Sequence, residues 1–541
     1  MEDVFERWRS EPGAVAQSLA QEAEAEMRRE WYPTWERWRR KYRNKWYLKP
    51  PQPGLPGTGQ PVYSTNYIFS TVQIALGYVR ENPPVVTLEP VESGDREEAR
   101  LLTEFIRADL DPWFQPVLRK AQLQALLLGT SYLKTYYSPE HGRAVIDALA
   151  PEEVLLDPLA QDWSQLRFLV HRVRRQDPGW ARVRYGLHLD AKDKVDIDEF
   201  WMLVPEIDAE GNLVGSRWEF VRAVGAEAVS EPQANPYNHA MLPVVPLYAI
   251  EPDQGLLGIG VAEVIEPLQD QADALDMQIY RIIRKTANRW RFVGSGAGID
   301  ASQIRDDGGS YNVADPNAIR WDTPPTLPGE VFAYRADIDR RIQLVSGIFD
   351  VVMGQTPRRI TAASAISLLQ DAAYRRIGSI NDSFAASIAL ALYQYLHVVL
   401  QFYPTQRFER VLGSGVRVVG NYPEGMVDPA ERERWKAENG IALVLGDVKP
   451  MYDVRVSMES ALPQTKSQRA RIAMELRTIG VLDDQAVLEA LEWPDWEEIV
   501  ARKQAAQVQA MPSLEARQYE NMPAEFNPLA QLAMQTPKGG P

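Results

Sequence analysis

The 541-residue chain is 45% apolar and 25% charged, enough for several packed regions and too apolar for a disordered polypeptide. A formal charge of -15 and an isoelectric point near 5.1 exclude a general basic embrace of nucleic acid, so any DNA contact has to be local or geometric. Cysteine is absent, which excludes disulfides, thiol catalysis and cysteine-ligated metal, and residues 1–30 lack the apolar segment of a secretory signal.

Residues 1–48 read as helix, with Trp31, Trp35, Trp38 and Tyr42 recurring every three or four positions among Arg37, Arg39, Arg40, Lys41, Arg43 and Lys45. This most basic segment reads either as a local nucleic-acid or partner arm or as an amphipathic helix laying its aromatics on the body, and the second reading is the simpler. A Pro/Gly loop, Pro50 to Pro61, ends it. Asn66 to Arg80 is helical through Ile68, Val72, Leu76 and Val79, and Asn82-Pro83-Pro84 stops it before a strand at Val85 to Leu88. Helix returns over 95–129. Strands follow at Ser131 to Tyr137 and Phe168 to Arg174, and then at Ile197 to Ile207 and Leu213 to Val221, joined by the turn Asp208-Ala209-Glu210-Gly211-Asn212.

From Gly260 a helix runs to about Asn288, with acidic Glu263, Glu266, Asp270, Asp273 and Asp276 in front and Arg281, Arg284, Lys285 and Arg289 behind, the polarity a helix dipole favours. A turn-rich insert, Arg291 to Gly329, carries short strands at Arg291 to Val293 and Ile319 to Asp322. Helix resumes over Phe332 to Val351, breaks at 353–359, and continues from Thr361 to Tyr403. At ~1.5 Å per residue this last helix is on the order of 60 Å long, more than one small core needs. Its part from Phe384 to Tyr403 is uncharged and long enough to span a bilayer, but Ser387, Gln394, His397 and Gln401 interrupt it, so a buried helix is expected there. Beyond it come a hairpin-like region (Arg407 to Val419), a helix at Pro429 to Asn439, strands at Ile441 to Leu445 and Tyr452 to Met458, and helices at Ser467 to Ile479, Asp483 to Leu491 and Trp496 to Gln509. The end, 511–541, reads as a disordered tail.

Catalytic signatures are missing. No G-x-x-x-x-G-K-[ST] loop, G-x-S-x-G elbow or H-E-x-x-H helix occurs, and the Gly-rich stretch Val293 to Gly298 lacks dinucleotide-binding spacing. His141, His171, His188, His239 and His397 are scattered and read as structural. Glu266, Asp270 and Asp273 share a helical face, so a carboxylate-dependent metal nuclease or hydrolase is one alternative; a membrane pore built on 384–403 is another. No enzyme, metal or cofactor is expected.

The order of several segments resembles the portal proteins of tailed bacteriophages. Tyr63-Ser64-Thr65-Asn66-Tyr67-Ile68, leading through a helix to Asn82-Pro83-Pro84-Val85-Val86-Thr87-Leu88-Glu89-Pro90, is similar to an early portal segment. Leu242-Pro243-Val244-Val245-Pro246-Leu247, then Gly255 to Gly260 and the long helix, resembles the approach to the portal stem. Ser346-Gly347-Ile348, Gly354, Pro357 and Thr361-Ala362-Ala363-Ser364-Ala365 resemble the stem helix, tunnel loop and tunnel helix in order. Ala461-Leu462-Pro463 through Gly480-Val481-Leu482-Asp483 and Val487-Leu488 resembles the helical end of many portals.

The resemblance implies a helix-rich α+β subunit with wing, two-helix stem, clip, tunnel helix and crown, assembling as a ring of twelve at the capsid vertex, a conduit for double-stranded DNA in packaging and ejection. Its map is an N-terminal helix and linker (1–60), wing (61–259), stem helix (260–288), clip (289–331), stem helix (332–349), tunnel loop (350–360), tunnel helix (361–403), returning wing strands (404–459), crown (460–510) and tail (511–541). The implied partners are the large terminase, the major capsid or scaffolding protein and a head-completion or tail adaptor protein, with assembly in the host cytoplasm, residence in the virion and no membrane. The expected channel residues are Gly354, Gln355, Thr356, Arg358 and Arg359, the last two either touching phosphates or pairing with a neighbour's acids. Glu263, Glu266, Asp270 and Asp273 form an acidic stem stripe suited to a channel that must not grip a polyanion. Asp300, Arg305, Asp306, Asp307 and Arg320 would serve docking at the clip.

Overall fold

The computed structural model describes residues 2–45, 64–81, 84–90, 96–185, 193–300, 312–321, 328–347 and 363–458, apart from 209–211, 229, 288–290, 414, 427, 447 and 449–451, together with isolated positions between 473 and 502. It divides into two units, Met1–Ala461 and Leu462–Pro541. The loop at 50–61, the tunnel loop at 350–360, nearly all of the crown helices and the tail at 511–541 lie outside the described residues.

The first unit is helix-rich α+β. Helices α1 (Glu2–Ser10) and α2 (Pro12–Tyr42) replace the single expected N-terminal helix, because Pro12 takes the first helical position of a new one. Helix α3 (Tyr67–Glu81), strand β1 (Pro84–Pro90) and helix α4 (Arg96–Leu128) follow. Gly129, at φ 89°, ends α4 and turns the chain into β2 (Thr130–Ser138), which pairs antiparallel with β3 (Arg143–Leu149). Then come β4 (Val154–Leu156), β5 (Phe168–Gln176), α5 (Pro178–Tyr185), the long hairpin β6 (Val195–Ile207) and β7 (Leu213–Val224), the short β8 (Glu227–Ala228) and β9 (Gln233–Ala234), and β10 (Val244–Tyr248). Within the hairpin turn the Asp208 carboxylate accepts from the Asn212 backbone N–H at 2.7 Å. Strands β3 and β4, helix α5 and strand β10 are additional to the elements expected from periodicity.

Strands β4 to β9 form a six-stranded sheet, and β10, β2 and β3 a three-stranded one. Alternation along β6 explains how the six-stranded sheet is covered on both faces. Phe200, Met202 and Val204 pack with Trp8, Val15, Ala16 and Ala20 of α1 and α2. Trp201 points the other way, into a cluster with Tyr132, Leu149 and Val244 of the three-stranded sheet. Gly13 permits the close approach of α2, since a Cβ there would sit 2.2 Å from the Ala226 carbonyl oxygen.

Helix α6 (Val261–Ala287) leads to β11 (Arg291–Val293), which pairs antiparallel with β12 (Ile319–Trp321), and α7 (Gly329–Ser346) returns to pack on α6. Helix α7 ends earlier than the expected 349–351, because Gly347 at φ 72° donates its N–H to the Gln343 carbonyl and closes the helix. Helix α8 spans Ala363–Phe402. It is followed by α9 (Thr405–Leu412), β13 (Arg417–Val419), α10 (Pro429–Asn439), β14 (Ile441–Val444) and β15 (Tyr452–Met458). The expected hairpin at 407–419 is instead helix α9 and strand β13: Phe408, Val411 and Leu412 fall on one helical face, and buried Phe408 stacks on Phe105 with ring centroids 4.2 Å apart. Strand β13 pairs with β14 in parallel, and β15, at the end of the first unit, returns to pair with β1.

The largest core gathers α3, α4, α8 and α9 over the three-stranded sheet. The uncharged half of α8 is a core helix: Phe384, Ile388, Leu392, Tyr395, Val398 and Val399 are buried in this cluster. Its polar face meets the chain at 236–242. Gln394 donates to the Leu242 carbonyl at 2.8 Å and Gln401 to that of Pro236 at 2.7 Å, while the Asn238 N–H donates to Gln401. A helix in this position needs no lipid to cover it.

Candidate functional site

The helix–insert–helix of α6, β11–β12 and α7 carries most of the residues singled out by sequence. At its base the carboxylates of α6 meet cations from elsewhere in the chain. Lys41, 2% exposed, reaches Glu266 and Asp270 at 2.6 Å each. Arg37 donates to both Glu266 oxygens, at 2.7 and 3.1 Å, and the Trp38 indole N–H donates to one at 2.8 Å. Burial would raise the Glu266 carboxyl, but the hydrogen bonds from Arg37, Lys41 and Trp38 outweigh it and hold the group at about 2. Trp35 and Trp38 are buried beside these contacts, so the basic-aromatic end of α2 is laid against the body of the protein.

Asp273 is different. It is buried, and a single neighbouring amide nitrogen, Gln269 Nε2, serves both its oxygens at 3.0 Å. Burial first, and the Asp276 carboxylate second, push it to about 7, against the pull of Lys41 and Arg335. The same Gln269 nitrogen lies 2.9 Å from the Thr65 carbonyl oxygen and 3.0 Å from Ser64 Oγ, and Gln269 Oε1 accepts from the Tyr67 N–H, tying α6 to the start of α3. On α7, Arg335 grips Asp276 through two bonds at 2.6 and 2.9 Å and also bonds Asp339 and the Tyr67 hydroxyl. Four segments therefore converge on one polar joint.

The acidic stripe of α6 is accordingly not a bare solvated face. Glu266 and Asp270 are neutralised by α2, Asp276 by α7, and Asp273 is buried; Glu263 is half-buried, and burial raises its carboxyl. Among the described residues no group of three or more His, Asp or Glu side chains is placed to hold an ion.

At the far end of the pair, Phe292 sits opposite Arg320 in the β11–β12 ladder. Gly294 donates its N–H to the Ala318 carbonyl at 2.8 Å, and Ala314 to that of Ala297 at 2.9 Å, so the insert is stitched to itself. Asp300 and Arg320 are exposed on it. Arg305, Asp306 and Asp307 lie outside the described residues, as do Gly354, Gln355, Thr356, Arg358 and Arg359. The structure also brings together two histidines far apart in sequence: His239 and His397 have ring centroids 6.2 Å apart, and burial, reinforced by His397, lowers His239 to about 4.

The contacts between α2 and the base of α6 escape periodicity, because they join residues more than 220 positions apart. One signal was there to be read: the most basic segment of the chain and the acidic front of α6 are electrostatic complements.

The model of the phage P22-like portal protein family matches residues 14–538, nearly the whole chain. The chain belongs to that family. A portal protein is a structural component of the phage capsid vertex, which accords with a fold whose candidate site is an architectural joint. No curated protein matches. The solved neck of an empty GTA particle, computed with C6 symmetry, is similar over 81% of this chain and 96% of its own, at 12% identity and a TM-score of 0.40.

Proposed function

We propose that this portal protein forms a ring of about twelve copies, the usual number in the resemblance, closing the capsid vertex as a conduit for double-stranded DNA during packaging and ejection. The family match over residues 14–538 carries the reading. In it, residues 61–259 and 404–459 are the wing, 260–288 and 332–349 the stem, 289–331 the clip, 361–403 the tunnel helix and 460–510 the crown. Supporting it is a helix pair, α6 and α7, joined by an insert that carries the β11–β12 ladder, the form a stalk with a docking tip requires.

The clip then meets the large terminase and later a head-completion or tail adaptor protein, with exposed Asp300 and Arg320 on the docking surface. The major capsid or scaffolding protein is a further partner, assembly takes place in the host cytoplasm, and Gly354, Gln355, Thr356, Arg358 and Arg359 belong to the loop of the DNA channel. DNA is to slide rather than stick, and the net charge of -15 supports that.

Deleting residues 295–328 tests the map. The variant should assemble as the full-length protein does and lose terminase docking in a pull-down. Assembly failure with docking intact would contradict it.

A further inference from the structure

Inside the first unit the six-stranded and three-stranded sheets face each other across a cavity of about 260 Å³. The facing surfaces of packed sheets are ordinarily apolar, and the register of β5, β6 and β7 shows where this one departs. One cross-strand row is Leu169, Trp201 and Phe220; two residues further along, the row is His171, Glu199 and Arg222. From β2 on the opposite sheet, Lys134 enters that charged row. It is 6% exposed, donates to Glu199 Oε1 at 2.6 Å and lies 3.0 Å from His171 Nδ1. The Trp201 indole N–H donates to the same Glu199 oxygen at 2.9 Å, and Arg222 Nε stands 3.6 Å from the other.

Burial would raise the Glu199 carboxyl, but Lys134, Arg222 and His171 hold it at about 2, so a buried carboxylate and the buried Lys134 ammonium face each other across the cavity. Taking such charges out of water costs several kcal/mol per ion, and packed apolar residues would support the fold as well. A charged, aromatic-walled cavity is thus better explained by what it binds.

The carboxylates of Glu199 and Asp147 in the lining each face a donor or a cation. Glu199 is bonded by Lys134 and Trp201, and Asp147 accepts from the Tyr136 hydroxyl at 2.8 Å, while Glu140 lies exposed at the mouth. Donor capacity is left over: of the three N–H groups of Lys134, these contacts use two. The volume admits about one ring and one small polar group. We propose that this cavity binds a small organic carboxylate with a planar apolar body, its carboxylate held by Lys134 and Arg222 and its body against Trp201, Phe220 and Tyr237.

Benzoate is the probe, with neutral benzamide and cationic benzylamine as isosteres, titrated calorimetrically into the full-length protein. Benzoate should bind saturably and the other two should not. Affinity should fall about tenfold or more in Arg222→Met, and likewise in Lys134→Met/Glu199→Gln, a pair that removes the cation without stranding its carboxylate. No saturable benzoate binding, equal binding of benzamide, preference for benzylamine, or undiminished binding in Arg222→Met would each overturn the proposal. The readout is per chain and stands independently of ring assembly.

Discussion

Asp109 shows how much of this fold rests on single buried polar groups. It lies in α4 and accepts from the hydroxyls of Tyr395 at 2.5 Å and Tyr403 at 2.8 Å and from Arg407 at 2.7 Å, tying α8 and the start of α9 to α4. Asp109→Ala leaves three donors without their acceptor and should cost about 2–3 kcal/mol in denaturant unfolding, much more than an exposed ion pair would. Gly129 is a second such position. At φ 89°, with a Cβ placed only 2.0 Å from the Gly258 carbonyl oxygen, it lets the turn after α4 lie against the segment that leads into α6. Gly129→Ala should destabilise more than a typical surface change, read as a fall in unfolding temperature, whereas Gly142→Ala, also at positive φ but in open space, should cost less.

At the scale of elements, the joint where α2, α3, α6 and α7 meet contains two carboxyls with opposite pH behaviour. Glu266 is held at about 2, below its ordinary value, so its contribution is present at neutral pH and is lost as pH falls through the range from about 4.5 to 2. Asp273 is raised to about 7. Between its ordinary value and 7 the folded form binds the extra proton, so stability from this group falls as pH rises through that window. Asp273→Asn should therefore raise stability above pH 7 and flatten the pH profile between about 3.8 and 7. Glu266→Gln should loosen the end of α2, seen as faster amide hydrogen exchange over residues 35–43.

Elements with a strong local signature were readable from sequence: α3 with its Asn-Pro-Pro stop, α6 with its sorted charges, and β11 with β12 bracketing a turn-rich insert. What escaped was decided by distant partners. Strand β3 exists because β2 and Lys120 receive it, α9 is helical because Phe408 finds Phe105, and β1 meets β15 from the other end of the first unit. The candidate site divides in the same way. The acidity of α6 was legible, but its neutralisation by Arg37 and Lys41 belongs to the tertiary fold, as does the charged row of Lys134, His171, Glu199 and Arg222.

For the whole molecule, the base of α6 and α7 is braced by contacts from distant parts of the first unit. Arg37, Lys41 and Arg335 fix the helix pair to the N-terminal helix and to α3, and the insert beyond is held by its own ladder. A net charge of -15 disfavours a general embrace of nucleic acid, so in the proposed reading the handling of DNA comes from geometry, with several copies arranged around an axis. Mass measurement combined with particle imaging of the purified full-length protein across a range of salt concentrations tests this most directly. A closed ring of about twelve copies with an open axial channel is the predicted result; a monomer at every salt concentration would contradict it.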